Sequence, residues 1–126
     1  MRRRVLMIDD DADIREVAAL SVETMGGWEM LQAATGEEGI AKAELEKPDA
    51  ILLDLMMPDV DGRATLKRLK GNEKTAGIPV VLLTAKSQGM SLEELRELGL
   101  ADSLAKPFDP VTFCSEISRV LGWEHE

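Results

Sequence analysis

Short runs of large aliphatic residues alternate along this chain with stretches of helical periodicity, and that alternation leaves few architectures open. "RVLMI" (4–8), "WEMLQAA" (28–34), "AILLD" (50–54), "IPVVLLT" (78–84) and "DSLA" (102–105) read as strands. Several are apolar on both alternating faces, the pattern of a parallel strand covered on both sides. Between the first two, Ile14, Val17, Ala18, Ser21, Val22 and Met25 recur at three- and four-residue spacings, predicting a helix that Gly26 and Gly27 end. "TGEEGIAKAELEK" opens with Thr35 and sets Glu38 three residues on, a capping box, before Pro48 stops the helix. "RATLKRLK" (63–70) is a helix closed by Gly71, and residues 87–98 are helical in character. In "FDPVTFCSEISRVLGW", Asp109 is placed to cap and Pro110 to begin a last helix with Phe113, Ile117, Val120 and Leu121 on its apolar stripe. Strand and helix in strict alternation predict an α/β sandwich, a parallel sheet with helices on both faces and right-handed crossovers.

With 126 residues, the chain is expected to be one domain (1–126, core 4–121). No apolar run approaches the length that crosses a bilayer, and "MRRRVLMIDD" turns acidic too soon for a signal peptide, so a cytoplasmic protein without membrane contact is expected. A single cysteine, Cys114, fits a reducing compartment and reads as a small apolar filler. A net charge of −9, with a basic cluster only at Arg2–Arg4, argues against direct nucleic-acid binding; those arginines read as a solvated terminus, and His125 as solvated.

The chemistry lies where the strands end, because open α/β sheets bind ligands beyond the carboxyl ends of their strands. The first strand runs into Asp9, Asp10 and Asp11, the third into Asp54, the fourth into Thr84 and the fifth into Lys106 and Pro107. If the first and third strands are neighbours, about 4.8 Å apart, Asp9 or Asp10 meets Asp54. Carboxylates so clustered raise one another's pKa or recruit a cation, and a hard ion with oxygen ligands, Mg2+, suits them best. Asp11 reads instead as the cap of the first helix. A carboxylate, Mg2+, a hydroxyl and an ammonium together suit phosphoryl transfer, with the carboxylate attacking phosphorus to give an aspartyl phosphate.

"VLMIDDDADIR", "AILLDLMMPDVDG", "VVLLTA" and "AKPFD", in that order and at these spacings, resemble the receiver domain of two-component response regulators across about residues 4–121. The resemblance implies a flavodoxin-like (βα)5 fold with strand order 2-1-3-4-5. It implies that Asp54 accepts a phosphoryl group from a phosphohistidine of a sensor histidine kinase or phosphotransfer protein. Asp9 and Asp10 would hold Mg2+ together with Asp54 and the backbone carbonyl of Met56, while Thr84 and Lys106 would meet the phosphoryl oxygens. It implies a cis bond between Lys106 and Pro107 and a downstream protein target that reads the switched surface; a monomer or weak dimer is expected. Phe108 and Ile14 would flank a kinase-docking patch, although Ile14 suits the core equally. Lys86 and Met56 are expected to govern water access and so the lifetime of the phosphoryl group. One departure is Ser103, where receivers commonly carry an aromatic three residues before the lysine; that puts the usual route from Thr84 to the surface in doubt.

Two rivals stand beside this reading. A small Mg2+-dependent aspartyl-phosphate phosphatase would use the D-x-D of Asp9 and Asp11, but would want its nucleophile on the first strand and a further acidic pair late in the chain. After Thr84 the aspartates are Asp102 and Asp109, far apart. A receiver-like module that binds without phosphorylation is the other, and the complete acid, Thr84 and Lys106 set argues against it. Because the sequence stops after its fifth helix, output is expected through a partner protein or a domain outside this sequence.

Overall fold

The structure, a computed structural model, describes residues 3–54, 62–85, 93, 97, 102–106 and 108–123; residues 84, 85, 102, 103, 105 and 106 are described by backbone alone. Five parallel strands form one sheet: β1 (Arg4–Ile8), β2 (Glu29–Ala33), β3 (Ala50–Asp54), β4 (Val80–Ala85) and β5 (Asp102–Lys106), in the order β2-β1-β3-β4-β5. The described helices are α1 (Ala12–Ser21), which runs into a π-helical turn (Val22–Gly26), α2 (Gly36–Glu46), α3 (Gly62–Lys70) and α4 (Phe113–Leu121). Of the helical stretch expected at 87–98, Glu93 and Glu97 are described, and both are helical and exposed.

Alternation along the strands divides the core in two. Leu6, Ile8, Ile51, Leu53 and Leu82 face one side and pack with Ile40 and Ala43 of α2 and Leu66 and Leu69 of α3. Val5, Met7, Leu52, Val81 and Leu83 face the other, with Ala18 of α1 and Phe113 and Ile117 of α4. In β1, β3 and the described part of β4, the residues past Arg4 are all buried, which is why these strands read as continuous apolar runs, whereas Leu31 and Gln32 of the edge strand β2 are only half-buried.

The helix approach to the sheet is close enough to constrain residue type. A Cβ on Gly39 would lie 2.6 Å from Cγ1 of the fully buried Ile8, so α2 can sit this near β1 only with hydrogen there. On α3, the fully buried Thr65 lies against Gly36, and its hydroxyl finds no hydrogen-bond partner among the described residues. A buried hydroxyl without a partner carries its desolvation cost uncompensated, so Thr65→Val is expected to stabilise the fold by about 1 kcal/mol in urea denaturation. A loss of stability of that size would mean the hydroxyl is bonded.

Local capping follows the sequence with instructive exceptions. Asp11 caps α1 by accepting from the N–H of Asp13 and Ile14 at 3.0 and 3.3 Å. Thr35 Oγ1 accepts from Glu38 N–H at 3.1 Å, but Glu38 reaches past the cap residue to the N–H of Ala34, at 2.7 Å. That bond, foremost, holds the Glu38 carboxyl below the ordinary carboxylate range. Pro48 lies just beyond Lys47, which ends α2 in a left-handed conformation (φ 47°).

Four expectations need correction. The apolar stripe of the first helix does not continue to its end: the π turn rotates the chain, so Val22 is buried while Met25 is exposed, and Val17 is exposed on α1 itself. Gly27, at φ 68°, then closes the turn. The last helix begins at Phe113 and not at Pro110, because Asp109 spends its side chain and carbonyl on a preceding turn, accepting from Val111 and Thr112 N–H. The fourth strand starts at Val80, with Ile78 and Pro79 ahead of it. The basic N-terminus is not merely solvated. Arg4 pairs with Glu29 and Glu46, tying the amino ends of β1 and β2 to the carboxyl end of α2, and the Arg3 guanidinium lies 4.1 Å over the ring of Trp123, which meets Trp28 edge-on. Cys114 behaves as read: it is buried, and desolvation pushes its thiol up to about 11. His125 lies outside the described residues.

Candidate metal and phosphoryl site

At the carboxyl rim of the sheet, Ile8 pairs with Leu53, so the residues that follow, Asp9 and Asp54, leave adjacent strands side by side. Asp9 is fully buried, Asp54 nearly so, and Asp10 is exposed. One carboxylate oxygen from each of the three lies within 4.8 Å of the other two. Such a set of hard oxygen donors, two of them withdrawn from water, fits a small divalent cation such as Mg2+.

The loop bearing these acids is held from several directions. Asp9 N–H continues the sheet by donating to Ala33 C=O at 3.0 Å, and its side chain accepts from Asp11 N–H at 2.9 Å. Arg15, on α1, donates from Nη1 to Asp9 C=O at 2.6 Å and from Nε to Gln32 Oε1 at 3.2 Å. Lys42 of α2 donates to Gln32 C=O and pairs with Glu38 at 3.4 Å. Sequence reading missed Arg15, Gln32 and Lys42. A usable signal existed in Gln32, a polar residue one position from the end of a strand, but its partners lie on other elements.

On the neighbouring strands, Asp54 pairs with Leu83, which puts Thr84 one step further along β4; Ala85 then pairs with Lys106, the last residue of β5. The backbone thus sets positions 84 and 106 at the same rim as Asp54. The side chains of Thr84, Ser103 and Lys106, together with Met56, Lys86 and Pro107, lie outside what is described. Phe108 stacks on Phe113 (centroids 4.0 Å apart), and both Phe108 and Ile14 pack partly buried against the core.

A parallel five-stranded sheet in this order, carrying an acid cluster where β1 and β3 end, defines a flavodoxin-like domain. Comparison with known proteins narrows the class. The family model for the response regulator receiver domain matches residues 5–118, and the chain belongs to that family. It is 40% identical over 118 residues to the DNA-binding dual master transcriptional regulator RpaA of Synechocystis, covering 94% of this chain and 48% of that protein. It is 38% identical to the phosphate regulon transcriptional regulatory protein PhoB of Pseudomonas aeruginosa, with 94% and 52% coverage. Among solved structures it superposes on the chemotaxis response regulator CheY4 of Vibrio cholerae with a TM-score of 0.84 at 29% identity, over 95% of this chain and 99% of that one.

The chain therefore spans about half the length of the curated relatives it matches. Because one of them is a DNA-binding regulator, the expectation of no nucleic-acid partner finds no support in these relatives. Members of this family are phosphorylation-dependent signalling domains. Among the described residues, no helix is long and apolar enough to cross a membrane.

Proposed function

We propose that Asp54 is the phosphoacceptor of this receiver domain, taking a phosphoryl group from a phosphohistidine of a sensor histidine kinase or phosphotransfer protein. The observation that carries the reading is the meeting of Asp9, Asp10 and Asp54 oxygens within 4.8 Å at the sheet rim. An Asp54 carboxylate oxygen attacks phosphorus, the bond from phosphorus to the imidazole nitrogen breaks, and the imidazole leaves with its electron pair. Asp9, Asp10, Asp54 and the Met56 carbonyl would hold Mg2+, which would supply positive charge against the phosphoryl oxygens. Lys106 adds a further positive charge there, and the Thr84 hydroxyl donates to a phosphoryl oxygen.

In this reading Phe108 and Ile14 flank the surface where the donor docks, and Val17 and Leu20 of α1 are exposed apolar residues that widen it. In this reading residues 1–126 form one cytoplasmic domain, monomeric or weakly dimeric, whose added charge switches a surface that a downstream partner reads. With Ser103 in place of an aromatic, Thr84 acts on that surface without an inward-turning ring.

Incubating the protein with acetyl phosphate and following intact mass is the direct test. One phosphoryl group per chain is expected with Mg2+ and none with EDTA. Catalytic turnover of a generic phosphomonoester without a stoichiometric adduct would instead favour a phosphatase.

A further inference from the structure

Arg15 is not among the residues that chemistry requires at the site, yet it bonds to the backbone of one that is. We propose that Arg15 is a positioning residue, whose two-pronged grip on Asp9 C=O and Gln32 Oε1 sets the direction in which Asp10 offers its carboxylate to the metal. The inference rests on the reading of Asp9, Asp10 and Asp54 as the Mg2+ site.

The peptide plane carries the effect from Arg15 to Asp10. Asp9 C=O belongs to the rigid unit that includes Asp10 N–H and ends at Asp10 Cα, so fixing that carbonyl fixes where the Asp10 side chain starts. Asp9 N–H is already tied to Ala33 C=O at 3.0 Å, and its side chain to Asp11 N–H at 2.9 Å. These hold the start of the loop and its far side. The Asp9–Asp10 peptide between them is held by Arg15 Nη1, at 2.6 Å. Asp10 needs such help most, because it is the exposed member of the cluster, whereas Asp9 and Asp54 are enclosed by the protein.

Arg15 can act as a clamp because it is itself restrained. Its Nε donates to Gln32 Oε1 at 3.2 Å, and Gln32 C=O accepts from Lys42 of α2. The guanidinium fork thereby links α1, β2 and the acidic loop in one plane, a geometry that a lysine cannot reproduce with a single nitrogen.

Charge and geometry make opposite predictions for this residue. A guanidinium beside a cation site repels the cation, so if Arg15 acted through its charge, removing it would tighten Mg2+ binding. If it acts by orientation, removing it weakens binding. Substitution of partners that orient metal ligands typically costs 10–100-fold in affinity.

The experiment is calorimetric titration of the full chain with Mg2+, for wild type, Arg15→Lys, Arg15→Gln and Gln32→Leu, with thermal unfolding in EDTA as the check on folding. Arg15→Lys keeps the charge and loses the fork, and Arg15→Gln loses both. Each is expected to raise the Kd for Mg2+ by about 10-fold, near the lower bound for such partners. Gln32→Leu should raise it less, and add little in the double variant with Arg15→Lys, because the two remove one connected grip. Kd values within twofold of wild type for both Arg15→Lys and Gln32→Leu overturn the proposal, as does tighter binding by Arg15→Gln. Should Arg15→Gln fail to fold, the other two variants still decide. Absence of Mg2+ binding by the wild type overturns the metal reading itself, a result these variants cannot mimic.

Discussion

Asp54→Asn is expected to fold as the wild type does and to take no phosphoryl group from acetyl phosphate, its labelling falling to background. The carboxamide matches the carboxylate in shape, so the end of β3 keeps its packing, but the amide is no nucleophile towards phosphorus and cannot form the acyl phosphate. Asp54 is 5% exposed, so no alternative rotamer in solvent compensates for the exchange. A second signature follows from the cation site. A ligand that binds only the folded state at 100 times its Kd stabilises by about 2.7 kcal/mol, so Mg2+ at that excess should raise the unfolding temperature of the wild type. Removing one of three charged donors should abolish most of that rise in Asp54→Asn. Intact mass and thermal unfolding with and without Mg2+ check both. Stoichiometric labelling that survives the substitution would assign the acceptor role to another carboxylate, with exposed Asp10 the first to examine.

The same rim illustrates how much of this molecule is legible in its sequence. Strands such as "RVLMI" and "AILLD" are readable because a sheet covered on both faces leaves no room for a polar residue until the strand emerges, so Asp9 and Asp54 mark their own positions. Helix caps that act over three residues, as at Asp11 and Thr35, are equally local and equally visible. What escapes is whatever depends on residues distant in the chain. Arg4 meets Glu29 and Glu46, and Arg3 meets Trp123, only after the sheet has brought both termini to its amino-terminal edge. Arg15 is in the same position: on a helix it reads as one more solvated charge, and its role becomes visible only when Gln32 and the Asp9 carbonyl arrive on either side. The π turn after α1 is a different kind of failure. The spacing of Ser21, Val22 and Met25 suits an α-helix, and the change of pitch arises where Trp28 packs into the core and its N–H bonds back to Val22 C=O.

Phe113→Ala is expected to be the most destabilising single truncation considered for this domain, at about 3–5 kcal/mol. Phe113 is the first residue of α4 and fully buried, in the cluster that includes Val5, Met7, Leu52 and Leu83 on the sheet and Ile117 one turn on. It is also stacked on Phe108 with 18° between the rings, and the segment between the two joins β5 to α4. Truncation therefore removes a large apolar volume, leaves a cavity that four-residue neighbours on a helix cannot close, and strips Phe108 of the ring it rests on. Against a total stability of about 5–15 kcal/mol for an ordinary domain, the loss is large enough to populate unfolded chains at physiological temperature. Urea denaturation is the measurement, and a lower midpoint at unchanged slope is the expected form of the result. Phe113→Leu, which keeps most of the volume, should cost less than about 1.5 kcal/mol. If alanine at 113 were tolerated as well as leucine, α4 would not be docked through this ring, and the packing that carries the chain from the end of β5 into its last helix would have to be sought elsewhere.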